Sequence, residues 1–239
     1  QILFAATYYN EIGVVKGQDF TRYNFRLNLD HQINDWFKIG VSNNFLSSIQ
    51  NWGSNLYGIA ANVQPLAVPY DNNGVLVAYP GNDVVLFNPI FDIDGVLNEI
   101  RRNRFYSAVY FELKPVHGLT YRLNAGPDFF NLRQGQFQAS HTSARSDGGS
   151  YGSYSTNGNV NFVLENIITY TNTFKEKHDL TVTLMQSIQT QRNESSSITA
   201  TNLPYDYQKW YNIGTAATIN SISRYLTQTH LTSLMGRLN

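Results

Sequence analysis

Residues 22–45, RYNFRLNLDHQINDWFKIGVSNNF, put Tyr23, Phe25, Leu27 and Leu29 on one parity and Asn24, Arg26, Asn28 and Asp30 on the other. After a short turn at Asn34 and Asp35 the pattern resumes, with Phe37, Ile39, Val41 and Phe45 set against Lys38, Ser42 and Asn44. Side chains that change character at every second residue belong to a β-strand whose two faces meet two different solvents. The nature of those solvents decides what the chain can do.

The same alternation marks eight segments, at about 2–11, 22–33, 36–49, 104–114, 119–133, 158–174, 180–194 and 226–239. Within 158–174, Val160, Phe162, Leu164, Ile168, Tyr170 and Phe174 share one parity, and Asn159, Asn161, Glu165 and Thr169 the other. Strands of soluble sandwiches more often stop near five or six residues. A tilted strand crosses a bilayer in about 9–11 residues, whereas no apolar run here approaches the roughly 18 that a membrane helix requires. The connections alternate too: 34–35, 115–118 and 175–179 are tight, while 12–21, 50–103, 134–157 and 195–225 are long. An up-and-down antiparallel sheet places alternate connections at the same end, so one end is trimmed and the other carries the insertions. Outer-membrane barrels have this asymmetry, and a soluble sandwich with its binding loops at one end reproduces it. The stretch DGVLNEIRRNRF at 94–105 reads as a short helical turn inside a loop. The chain starts and stops within strand pattern, as a piece of a longer protein would.

Composition narrows the chemistry. The 17 basic and 17 acidic residues cancel, leaving no field to steer the chain toward nucleic acid or toward an anionic membrane surface. The sequence has no Cys, which excludes disulfides and thiolate chemistry. His31, His117, His141, His178 and His230 form no ligand spacing, and no nucleophile elbow, phosphate loop or dinucleotide fingerprint follows a strand, so neither a metal nor a cofactor is expected. Asp92 and Asp94 of FDIDG would share a face on an extended segment and form a weak pair of candidate glycosidase carboxylates. Arg101, Arg102 and Arg104 are diluted by Asp94 and Glu99 and read as a solvated or ion-paired face. Ligand capture falls to the aromatic and amide side chains of the long loops: Trp52, Asn55, Tyr57, Tyr70, Asn72, Asn73, Tyr151, Tyr154, Tyr207, Trp210 and Tyr211. Aromatic faces stack on sugar rings and amides bridge hydroxyls, and the same chemistry suits a peptide or a protein partner.

The segments RYNFRLNLDHQINDWFKIGVS at 22–42, NP at 88–89, YFELKPVHGLTYRLNAG at 110–126, NIITYTNTFKEKHDLTVTL at 166–184 and SLMGRLN at 233–239 together resemble the SusC/RagA-like TonB-linked outer-membrane proteins of Bacteroidetes. Asn28, Trp36, Gly40, Pro115, Gly118, Leu119, Phe174, His178, Gly236, Arg237 and Asn239 match that family's strand and turn pattern, as architectural positions with no catalytic role. The resemblance implies a nutrient importer in the bacterial outer membrane, with a barrel of about twenty-two strands, an internal plug and an N-terminal segment that contacts TonB. It also implies a SusD-like surface lipoprotein as partner and oligosaccharides or peptides as cargo.

The expectation is therefore an all-β segment of a large transmembrane antiparallel β-barrel with short periplasmic turns and long extracellular loops. Residues 1–239 would form part of the receptor's barrel domain, with loops 50–103, 134–157 and 195–225 and without the plug or TonB-contacting segment. Phe25, Leu27, Leu29, Phe37, Ile39, Val41, Phe45, Phe105, Val109, Phe111 and Leu113 would face outer-membrane lipid, with Asn24, Arg26, Asn28, Asp30, Lys38, Ser42, Asn44 and Glu112 facing a wet interior. The reverse would put Arg26 against hydrocarbon at a cost of about 2–4 kcal/mol. The other reading is a secreted carbohydrate-binding β-domain without catalysis.

Overall fold

The computed structural model describes residues 1–81, 86–146, 148–175 and 177–239. Eight strands run antiparallel in chain order: β1 (Ile2–Ile12), β2 (Asp19–Asn34), β3 (Phe37–Asn51), β4 (Val96–Val116), β5 (Leu119–Gln138), β6 (Tyr151–Phe174), β7 (His178–Thr201) and β8 (Thr218–Leu238). Each pairs with its sequence neighbour, giving one sheet in the order β1 to β8. β6 and β7 are each 24 residues long, about 80 Å at the usual rise.

The expected segment of a large transmembrane β-barrel is corrected by this topology, which is an open eight-stranded sheet. Closure requires a hydrogen-bonded seam between the first and last strands. Among the described residues β1 pairs only with β2, and β8 only with β7, so the sheet is open with one free edge at each end. No described helix is long and apolar enough to cross a membrane.

Register sorts the side chains as alternation requires. On one face Phe25 lies opposite Phe45, Phe45 opposite Phe105, Phe105 opposite Phe129, and Phe129 opposite Val160. The rings of Phe25 and Phe45, and of Phe105 and Phe129, stack at 6.4 Å. Further along the strands Leu29, Val41, Val109, Ala125, Leu164 and Ile188 form a second apolar row. No second layer covers these rows among the described residues, and Phe25 and Phe129 remain 44% and 48% exposed. A soluble sandwich would have buried them. On the opposite face, Asp30, Gly40, Tyr110, Asn124, Glu165 and Ser187 lie in register.

Tight connections close one end of the sheet. Between β4 and β5, Gly118 adopts φ 79°, which leaves its carbonyl free to accept from Thr171 N at 2.8 Å. Of the KEKHD turn, Glu176 lies outside the described residues, as do 82–85 of the connection between β3 and β4 and 147 of the connection between β5 and β6. At the other end the strands extend past their expected limits: β4 begins at Val96, β6 at Tyr151 and β8 at Thr218, and β7 runs to Thr201. The stretch 94–105 is therefore mostly strand, and among the described residues α-helix is confined to α1 (Leu56–Ala60) and α2 (Phe91–Gly95), with a 3₁₀ segment at Asp206–Thr215. The buried core is small and sits at this end, where Phe137, Ala139 and Leu203 pack with Leu97, Trp210 and Ala216.

Gly40 tests the polar face. A Cβ there would collide with the Tyr110 ring, whose hydroxyl donates to Asp30. Gly40→Val should lower stability by about 1–3 kcal/mol, read as a reduced unfolding midpoint; an unchanged midpoint would show that Tyr110 does not lie across Gly40.

Candidate functional site

The polar face carries a continuous hydrogen-bonding surface across β2 to β6. Lys38 Nζ approaches Asp30 at 3.9 Å and sits 5.5 Å from the Tyr110 ring. On the other side of that ring the Arg122 guanidinium stacks at 4.2 Å, near enough for a cation–π contact. Arg122 Nε donates to Asn124 at 2.9 Å, and Asn124 Nδ2 donates to Glu165 at 3.0 Å. Arg104 clamps Asp128 through two hydrogen bonds of 2.9 and 2.7 Å.

Between these charged groups lies a dish of about 410 Å³, with Tyr106, Tyr110, Arg122 and Asp128 on its walls. Its floor is low because Ala108 and Gly126 contribute almost no side chain. The dish combines aromatic faces, a guanidinium and amides, which suits a hydrated polar cargo lying along the sheet. Among the described residues no group of three or more His, Asp or Glu is placed to hold a metal ion.

A second recess of about 310 Å³ opens at the long-loop end, between Asn55, Asp92, Asn98, Gln136 and Ser143. Asp92 is 2% exposed and accepts from Ser54 Oγ at 3.1 Å and Ser143 N at 2.7 Å, tying two connections together. Asp94 is exposed. The expected carboxylate pair is thus corrected: FDIDG forms α2, and residues two apart on a helix point away from each other. Asn88 likewise fastens the largest connection, donating to Pro69 O at 3.0 Å and Val77 O at 2.9 Å.

The aromatic and amide residues singled out in the sequence divide into separate groups. Tyr154, Trp210 and Tyr211 come together, with ring centroids 5.2 and 4.1 Å apart along the stack. They do so on the apolar-parity side, because the 3₁₀ segment Asp206–Thr215 leans against β5 and β6 and sets Trp210 over Gly135. Tyr207 is exposed beside Tyr205 at 5.5 Å. Tyr151 lies on the opposite parity, with the Arg145 guanidinium 6.0 Å from its ring. Asn55 caps α1 by accepting from Gly58 N at 3.2 Å, Tyr57 is exposed on that helix, and Trp52 borders a shallow recess with Glu11 and Asp19. Tyr70 pairs with Leu76 across a turn whose tip holds Asn72 and Asn73, with Asn73 N donating to Asp71 at 2.8 Å. The arginines also divide: Arg101 pairs with Glu99 on one face, while Arg102 and Arg104 bind Gln50 and Asp128 on the other. Sequence reading had missed Tyr106, Tyr110 and Arg122 as a unit, although their parity with Glu112 would have grouped them.

No family model matches the chain. Three curated proteins of Formosa agariphila align along nearly all of it. TonB-dependent receptor P26 is 30% identical over 97% of this chain and 24% of its own length. The chain is homologous to TonB-dependent receptors. Receptor P39 is 27% identical over 97% of the chain and 22% of its own length, and receptor P3 is 22% identical over 98% and 24%. The chain thus spans about a quarter of these relatives. Its fold matches solved chains of the RagAB peptide importer in the closed-closed and open-open states, each with a TM-score of 0.78 and 19% identity, covering 100% of this chain and 28% of the other. This likeness accords in general terms with an outer-membrane location.

Two substitutions test the long-loop end. Gly135→Val should displace Trp210 at a cost of about 1–3 kcal/mol, with red-shifted tryptophan emission and faster tryptic cleavage after Lys209; Gly214→Ala, whose added methyl meets nothing within 4 Å, should leave both unchanged. Asp92→Ala removes a buried acceptor and should cost about 1–3 kcal/mol, seen as faster proteolysis of the connection between β3 and β4. Unaltered proteolysis would show that Asp92 does not fasten it.

Proposed function

We propose that this chain is part of a TonB-dependent outer-membrane importer of the SusC/RagA type, which takes up oligosaccharides or peptides without chemically altering them. The observation that carries the reading is the two-sided sheet, with an exposed apolar face on one side and the Tyr110–Arg122–Asn124–Glu165 surface on the other. The likeness of the whole chain to part of a peptide importer supports it. In this proposal outer-membrane lipid meets the apolar face, and cargo passes along the polar one.

The polar face offers cargo many moderate contacts. Its charged side chains already hold hydrogen-bond or ion-pair partners, so a passing amide or hydroxyl exchanges one hydrogen bond for another and is not held tightly. A plug and a TonB-contacting segment outside residues 1–239 would supply gating and energy. A SusD-like lipoprotein would deliver cargo at the long-connection end of the sheet, near Trp52, Asn55, Tyr57, Tyr70, Asn72, Asn73, Tyr207, Trp210 and Tyr211 of the connections and Tyr151 and Tyr154 at the start of β6.

The test is uptake of labelled oligosaccharides and peptides by cells producing the full protein that carries this chain. Uptake of one class should depend on TonB and on the proton-motive force. The double variant Tyr110→Ala and Arg122→Ala should lower it about tenfold, equivalent to ~1.4 kcal/mol, at equal surface abundance. If neither class is taken up more by energised cells than by cells lacking the protein, the importer reading fails.

A further inference from the structure

The apolar face ends abruptly toward the long connections. Beyond the row of Phe105, Phe129 and Val160, the same side carries Asn131, Gly158 and Glu194 in register, followed by Arg133, Thr156, Ser196 and Arg224. Arg192, opposite Val160, completes a basic group on this side. Gly158 leaves a gap in the surface: a Cβ built there would meet nothing nearer than Glu194 O at 4.0 Å. The gap is the floor of a pocket of about 230 Å³, walled by Arg192, Glu194, Arg224, Thr156 and Asn131, with Val160 on its lower rim.

The charges within the pocket do not balance. Glu194 accepts from Arg192 at 2.6 Å and from Arg224 at 2.8 Å, so two guanidiniums share one carboxylate. Arg133 stands beside Thr156 with no ion pair among the described residues. Two positive groups therefore face one negative group in the pocket, and Arg133 adds a third charge just outside its lining. Thr156 Oγ1 and Ser196 Oγ are 2.7 Å apart; their mutual bond uses one hydroxyl proton and leaves the other free to donate. Guanidinium forks together with a hydroxyl are the donor set that a tetrahedral phosphate takes.

A free phosphate would have little reason to choose so open a site. What sets this pocket apart is its continuity with apolar surface: Val160, Phe129 and Phe162 descend from its rim, 43%, 48% and 38% exposed. On the other side, the Tyr154–Trp210–Tyr211 stack leans over the same face, as aromatic rings do where hydrocarbon gives way to headgroups. We propose that the Gly158 pocket binds the phosphate of an anionic membrane lipid whose acyl chains lie along Val160, Phe129 and Phe162. The proposal rests on the outer-membrane placement given above and does not depend on which cargo is imported.

The test uses the full protein that carries this chain, purified in neutral detergent, with bound lipid counted by native mass spectrometry. Three probes are compared: lipid A with its phosphates, the same lipid dephosphorylated, and inorganic phosphate. Phosphorylated lipid A should bind at least about tenfold more tightly than the dephosphorylated form. Gly158→Leu, which fills the pocket without changing charge, and the double variant Arg192→Ala and Arg224→Ala should each abolish that preference. Gly158→Leu should do so with its unfolding midpoint and cargo uptake unchanged, which separates this site from the importer reading. Equal binding of the two lipids, a preference that survives Gly158→Leu, or displacement of lipid by millimolar phosphate alone would each overturn the proposal.

Discussion

Everything in this structure depends on the backbone pairing of a single sheet. Each interior strand satisfies its peptide groups against both neighbours, so side chains are free to serve two unrelated environments. With no second layer among the described residues, the apolar rows around Phe25, Phe45, Phe105 and Phe129 gain nothing from a protein core. An exposed apolar surface of this extent marks an interaction surface. The opposite face has the contrary economy: Asp30, Lys38, Arg122, Glu165 and their neighbours partner one another and remain wet. Stability thus resides in ladder hydrogen bonds and in the small core around Phe137 and Leu203, while both faces are left available.

How much of this was legible beforehand depended on contrast between parities. In β2, β3 and the middle of β6, each apolar residue is followed by a polar one, and strand, register and face could all be read. The signal faded where both faces turn polar. Residues 151–157, YGSYSTN, and 195–201, SSSITAT, carry little hydropathic alternation, so β6 and β7 proved longer than expected. Arg101, Arg102 and Arg104 form a cluster in sequence, but the strand sends them to alternate sides. Closure was not legible at all: alternation fixes which way a side chain points and says nothing of whether β1 meets β8.

The candidate site was harder to read because its parts are remote in sequence. Tyr110 and Arg122 meet through a strand turn, and Asp92 and Ser143 through two separate connections. The loop aromatics were conspicuous by type, and the folding of Trp210 onto Gly135 depends on a glycine that carried no distinguishing mark. That packing draws the segment from Asp206 to Thr215 away from the polar face, so the Tyr154–Trp210–Tyr211 stack lies on the apolar-parity side of the sheet.

The interleaving of the two faces has an evolutionary corollary. Successive codons address different surroundings, so a lineage can rewrite every second residue of β4 to β6 to reshape the polar surface while the alternate residues hold their apolar character. Adaptation and anchorage then proceed as two independent records written along one thread.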